Sequence, residues 1–230
     1  MNEIGIDQAD GLRRLMARAA GKRIAVVEPE AGASQSSVTR NLAAALARQG
    51  REVLLIDEYS ADKAVSVPRD KRVALIHAVL DKDGALSPSA ASADHVVVVV
   101  QANAPAIKRA YLCIRALHHV HAFQHMRVLV NGVTESAEAQ RILSNLATTG
   151  SRYLGVALAP AGWIRADPLL ARAQQLDLAV MQAFPASLAA GDFNCVASAL
   201  MQWPLQPATG QVPFRPRAAA DPAQPVLGTC

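Results

Sequence analysis

The sequence predicts an α/β fold, doubly wound, with a mostly parallel sheet and helices on both faces. Three observations point to it. Short apolar runs at 24–27, 53–56, 73–76 and 96–100 lack polar alternation, as strands buried on both faces require. Helical patterns lie between the later runs, which is the order of right-handed βαβ units. The composition is 51% hydrophobic but only 4% aromatic. Small and aliphatic side chains of that kind let helices pack closely over a sheet.

Each element has a local reason. Residues 8–20 read as a helix, with Asp7 as N-cap, Leu12, Leu15 and Met16 as an apolar stripe, and Gly21 as its close. A buried strand at 24–27 is followed by a loop of small residues and a helix at 36–49 that Gly50 stops. Strands are expected at 53–56, 73–76, 96–100, 126–130 and 153–158, and helices at 105–119, 135–148, 168–175 and 188–203, the last ending before Pro204. The chain thus divides into an N-terminal helix (1–22), an α/β domain (23–203) and a proline-rich tail (204–230) without apolar period, expected to be disordered.

Charge and cysteine usage narrow the function classes. Lys plus Arg number 23 against 19 Asp plus Glu, a net of +4, which is too small to argue for nucleic acid unless it clusters. Cys113, Cys195 and Cys230 have no metal-ligand spacing and fit a reducing compartment. The run at 96–100 is far short of the roughly 20 apolar residues that span a bilayer. Asn2, Glu3 and Asp7 differ from the basic start of a signal peptide. A cytoplasmic protein is expected.

The loop after the first strand, Glu28-Pro29-Glu30-Ala31-Gly32-Ala33-Ser34-Gln35-Ser36-Ser37, opens a helix, the setting of a phosphate cradle. The segments Val38-Thr39-Arg40-Asn41-Leu42-Ala43 and Gly50-Arg51-Glu52-Val53-Leu54-Leu55-Ile56-Asp57 follow it. Together these resemble the MinD/ParA deviant Walker P-loop ATPases. Asp7-Gln8-Ala9-Asp10-Gly11-Leu12-Arg13 is similar to the Asp-Gln-Ala-x-Gly-Leu-Arg element of the FlhG/FleN regulators of flagellar number. The resemblance continues through Ala93-Asp94-His95-Val96, Val130-Asn131-Gly132-Val133, Leu154-Gly155 and Phe184-Pro185.

That resemblance implies an ATP- and Mg²⁺-binding fold, but its motifs are altered. Aligned on Ser36 and Ser37, the Walker lysine position holds Gln35 and the signature lysine position holds Glu30. A charge-assisted phosphate contact is worth about 1.5–3 kcal/mol. A carboxylate about 4 Å from a phosphate instead repels it by roughly 4 kcal/mol at an effective dielectric near 20. Pro29 removes an N–H from the cradle, and only Gly32 remains of its glycines. His77 stands at the Walker B position. No catalytic residue and no resident metal is expected, with Gly32, Gln35, Ser36, Ser37 and Asn131 as a degenerate nucleotide site. Asn131 matches the family's adenine-reading asparagine, and Asp167 in the later loop is retained.

The residues leave three readings of the loop: a vestigial turn, nucleotide binding without hydrolysis, and an active ATPase that places or partitions cargo. The vestigial turn is preferred. Asp57 and Asp62 are read as solvated loop acids rather than metal ligands. His118, His119, His121 and His125 are read as a solvated helix end rather than a metal site. The resemblance implies that Asp7, Gln8, Gly11, Leu12 and Arg13 dock onto a signal-recognition-particle-type flagellar GTPase, with other flagellar components as further partners. Phe214, Arg215 and Arg217 give the tail too little for membrane attachment.

Overall fold

The structure, a computed structural model, describes residues 21–29, 37–58 and 73–204. Its elements run β1 (Lys22–Val27), α1 (Ser37–Arg48), β2 (Val53–Asp57), β3 (Val73–Ala78), α2 (Pro88–Ala91), β4 (His95–Gln101) and α3 (Ala104–His121). Then come β5 (His125–Val133), α4 (Ser136–Leu154), β6 (Ala157–Arg165), α5 (Pro168–Gln175), α6 (Val180–Ala183) and α7 (Leu188–Gln202). The six strands lie in the order β2-β3-β1-β4-β5-β6, and every pairing is parallel. The expected N-terminal helix at 8–20, the loop at 30–36, Asp62 and the tail beyond Pro204 lie outside the described residues.

Alternation along the central strands builds two cores. Ile24, Val26, Val97 and Val99 face α1 and α7, where Leu42, Leu46, Phe193 and Leu200 fill one side. Ala25, Val27, Val98 and Val100 face α3 and α4, where Ile114, Leu117, Ile142 and Leu146 fill the other. Each such buried aliphatic or aromatic side chain contributes about 1.5–3 kcal/mol of transfer free energy. Burial on both faces is why these strands read as continuous apolar runs.

Helix ends follow the sequence chemistry. Asn103 Oδ1 accepts from the Ala106 N–H at 2.9 Å and starts α3, with Pro105 in its first turn. Gly155, at φ 69°, closes α4 in the left-handed conformation that glycine adopts without a Cβ penalty.

One strand differs from expectation. Tyr153 and Leu154 finish α4, and the last strand runs through Ala157–Arg165 instead of 153–158. The helical stripe Ala139, Ile142, Leu146, Gly150 carries α4 beyond Thr148 to Leu154, where Gly155 closes it. The strand itself is masked in sequence by Pro160 and Gly162. Both are tolerated because β6 is an edge: proline needs no ladder donor on the open side, and the pairing with β5 shifts register between Val128 and Leu129. The one-turn helices α2 and α6 carry too little periodicity to be foreseen.

The last helix is fastened to the opposite end of the sheet. Lys22 Nζ donates to the carbonyls of Leu200 at 3.0 Å, Met201 at 3.2 Å and Trp203 at 2.7 Å, at the C-terminal end of α7, where the helix dipole favours a cation. Arg127 lies 4.1 Å over the Trp203 ring and His95 meets it edge-on at 5.3 Å. Among the described residues, no helix is long and apolar enough to cross a membrane.

Candidate functional site at the carboxyl ends of the strands

The connection after β1 runs toward β2, and that after β4 runs toward β5. Strand order therefore reverses at β1, and the crevice beyond the carboxyl ends of β1 and β4 is where such sheets bind ligands. The described strand ends there carry Glu28, Asp57, Glu58 and His77, and positions 27–29, 56–58 and 77–79 hold no Lys or Arg.

Glu28 follows β1 directly and turns back onto α1. Its Oε1 accepts from the Thr39 N–H at 3.3 Å and from the Thr39 hydroxyl at 3.1 Å. A carboxylate suits this first turn of the helix, whose unpaired amides and dipole favour negative charge. Asn41, two residues on, accepts from the Val180 N–H at 2.7 Å and ties α1 to α6.

Asp57 and His77 are cross-strand neighbours in the β2–β3 register. His77 is fully buried, and its Nδ1 lies 2.9 Å from Asp57 Oδ1. That contact places the proton on Nδ1. The expectation of Asp57 as a solvated loop acid is thus corrected: it is the last residue of β2, and a buried imidazole holds it. Glu58 accepts from the Val79 N–H at 3.4 Å and from the Ser87 hydroxyl, which also caps α2 through Ala90.

Asn131 ends the ladder between β5 and β4, opposite Gln101. It is buried, and its Oδ1 has no hydrogen-bond partner among the described residues. An amine donor such as the exocyclic nitrogen of a purine would satisfy it. Asp167, also singled out by the sequence, is spent on the fold. One carboxylate oxygen accepts from the Leu169 N–H at 2.9 Å and the other from the Ala189 N–H at 3.0 Å, so it caps α5 and ties α7 to it. Beside it Arg165 grips Asp192 through Nε at 2.9 Å and Nη2 at 2.7 Å.

The histidines at the end of α3 are not simply solvated. His121 Nε2 accepts from the Leu86 N–H at 2.8 Å, and burial lowers its pKa against the opposing charge of Asp81. His118 Nδ1 meets the Phe123 carbonyl at 3.1 Å. Both side chains fasten loops to α3, whereas His119 and His125 are exposed as the sequence reading expected. No group of three His, Cys, Asp or Glu among the described residues is placed to hold a metal.

Of the sequence-identified site, Gly32, Gln35 and Ser36 lie outside the described residues, Ser37 is the first residue of α1, and Asn131 sits at the strand ends. Asp7, Gln8, Gly11, Leu12 and Arg13 also lie outside. Sequence reasoning assigned no role to Thr39, Glu58, Ser87 or Asp192, whose partners are distant in the chain.

Over 114 residues the chain is 34% identical to the antiactivator FleN of Pseudomonas aeruginosa, covering 50% of this chain and 41% of FleN. The solved MinD cell division protein of Aquifex aeolicus superposes with a TM-score of 0.55 at 18% identity, over 81% of this chain and all of that one. The chain is FleN-like in sequence and MinD-like in fold. A ParA family ATPase from Chlorobium tepidum gives a TM-score of 0.53 at 12% identity, over 78% of this FleN-like chain and 98% of the ParA chain. No family model matches. The match spans less than half the length of FleN.

Proposed function

We propose that this FleN-like chain is a regulator of flagellar number that works by binding partners and does not hydrolyse ATP. The observation that carries the reading is the charge at the strand ends. Three carboxylates, Glu28, Asp57 and Glu58, stand with one imidazole where a MgATP site in this fold needs cations and an open metal-facing aspartate. Each of these groups is engaged inside the protein: Glu28 on Thr39, Asp57 on His77, Glu58 on Val79 and Ser87. The sequence adds Glu30 and Gln35 in place of the two lysines. This donor set does not fit a magnesium triphosphate, which stays anionic even with its Mg²⁺ and meets carboxylates and an imidazole, with no Lys or Arg, at the described strand ends.

Partner binding is assigned to the N-terminal element, where Asp7, Gln8, Gly11, Leu12 and Arg13 match the docking motif of the resemblance. The partner is a signal-recognition-particle-type GTPase. A short amphipathic helix with Leu12, Leu15 and Met16 on one side suits a hydrophobic groove. The buried Oδ1 of Asn131 supports one remnant of the ancestral site, a contact to a purine base without turnover.

Isothermal titration with ATP and Mg²⁺, alongside a phosphate-release assay, tests the chemistry. Binding weaker than micromolar and no release are expected, and micromolar binding with turnover would reject the reading. A titration of the purified GTPase with wild type and with Gln8→Ala plus Leu12→Ala tests the docking. Equal affinity for both proteins would remove the N-terminal element from the account.

A further inference from the structure

We infer that the solvent face of α3 is a docking surface for an acidic, amphipathic helical segment of a partner protein. This surface is separate from the N-terminal element. Lys108, Arg109, Leu112, Arg115, His119 and Val120 recur at helical spacing along α3, and all six are exposed. Leu112 and Val120 leave 47% and 46% of their surface in solvent. The opposite stripe, Ala106, Ala110, Cys113, Ile114 and Leu117, is buried against the sheet, so the orientation of the helix is fixed.

Two features separate this face from an ordinary solvated one. The first is its charge pattern. No Asp or Glu occurs anywhere in Ala104–His121, so none of its cations has an acid three or four residues away on its own helix. Asp81, the carboxylate that acts on the C-terminal end of α3 through His121, is exposed and accepts from the N–H groups of Asp83 and Ala85 within its own turn. The second is Leu112. Lys108, Arg109 and Arg115 lie four and three residues before it and three after it, so an exposed apolar centre is ringed by cations. That is the anatomy of an interface, with a core that dehydrates and a rim that steers.

The same pattern selects the occupant. An aliphatic centre offers nothing to a phosphate backbone, and nucleic-acid surfaces place polar or aromatic groups there. A membrane-binding face needs a broad apolar stripe with aromatic anchors, whereas Tyr111 is packed into the core and the exposed face has only Leu112 and Val120. A helix with a leucine or similar residue flanked by Glu or Asp at matching spacing meets both features.

The test uses the full chain and a synthetic glutamate-rich helix with a single leucine stripe, matched in length to α3. Amide shifts on titration should map to α3, weaken with salt, and vanish when the probe's glutamates are replaced by glutamine. Lys108→Glu plus Arg115→Glu should weaken binding about ten-fold or more. Leu112→Ser should weaken it about three-fold or more, with thermal stability unchanged in both variants. The inference is overturned if the probe does not bind or its shifts map elsewhere. It is equally overturned if the glutamine probe binds as well, or if phosphatidylglycerol vesicles or duplex DNA bind this face more tightly at the same ionic strength.

Discussion

His77 Nδ1 and Asp57 Oδ1, 2.9 Å apart, join the carboxyl ends of β3 and β2 at the edge of the sheet. The imidazole is buried and the carboxylate half exposed, so the pair acts as a strap between two strands. His77→Ala should cost about 2–4 kcal/mol, from the cavity and the lost bond together. Asp57→Asn should cost about 1 kcal/mol, because water reaches that side chain. Urea denaturation of both variants measures the difference, and equal losses would show that the pair is not what orders these strand ends.

The anchor beneath Trp203 makes stability depend on pH. Burial first, then the positive charges of Lys22 and Arg127, hold the His95 imidazole down at about 4 from an ordinary 6.5, against the opposing pull of Asp94. The folded state therefore takes up this proton less readily than the unfolded chain. Its contribution is complete above the unfolded value of 6.5 and is lost as pH falls through about 4. Urea midpoints should drop across that window and flatten in His95→Gln. A midpoint that rises on acidification would reverse the sign.

Lys22 offers a second view of the same cluster. Lys22→Met keeps the aliphatic stem but removes the ammonium that donates to the carbonyls of Leu200, Met201 and Trp203, a loss of about 1–3 kcal/mol. It also removes a cation that depresses His95, whose titration by NMR should move upward. A His95 value that stays put would place Lys22 outside its electrostatic reach.

Asp167 stabilises two helices with one side chain. Asp167→Ala should cost about 2–3 kcal/mol, roughly twice a single lost cap, whereas Asp167→Asn retains one acceptor and should lose about half of that. Thermal unfolding followed by circular dichroism decides it. A loss of only a few tenths of a kcal/mol would mean that water replaces both bonds.

Gly162 sits at φ 135° in β6, and a Cβ there would lie 2.7 Å from Val196 Cγ2 on α7. Gly162→Ala should destabilise by about 2–4 kcal/mol, combining backbone strain with overpacking. Adding Val196→Ala should return the steric part alone. Full rescue by that second change would show that the backbone angle costs nothing.

How far the sequence could be read depended on whether a signal was local. The runs at 24–27 and 96–100 announce β1 and β4 because neighbouring residues are all apolar. β6 stayed hidden because Pro160 and Gly162 break its pattern at an edge where the break is harmless. The bonds from Glu28 to Thr39 and from His77 to Asp57 cross 11 and 20 positions and exist only through the loop closure and strand register. The motif drew notice to Glu30 and Gln35, while the carboxylate seated on the described turn of α1 is Glu28.

The sheet also acts as a partition. Ile24 and Ala25 are adjacent in the chain yet belong to different interiors, one shared with α1 and α7, the other with α3 and α4. Damage on one side has few side-chain routes to the other, so substitutions across the wall should add while those within a compartment interfere. A protein built this way can loosen its packing on one side of the wall while the helices on the other side hold their positions.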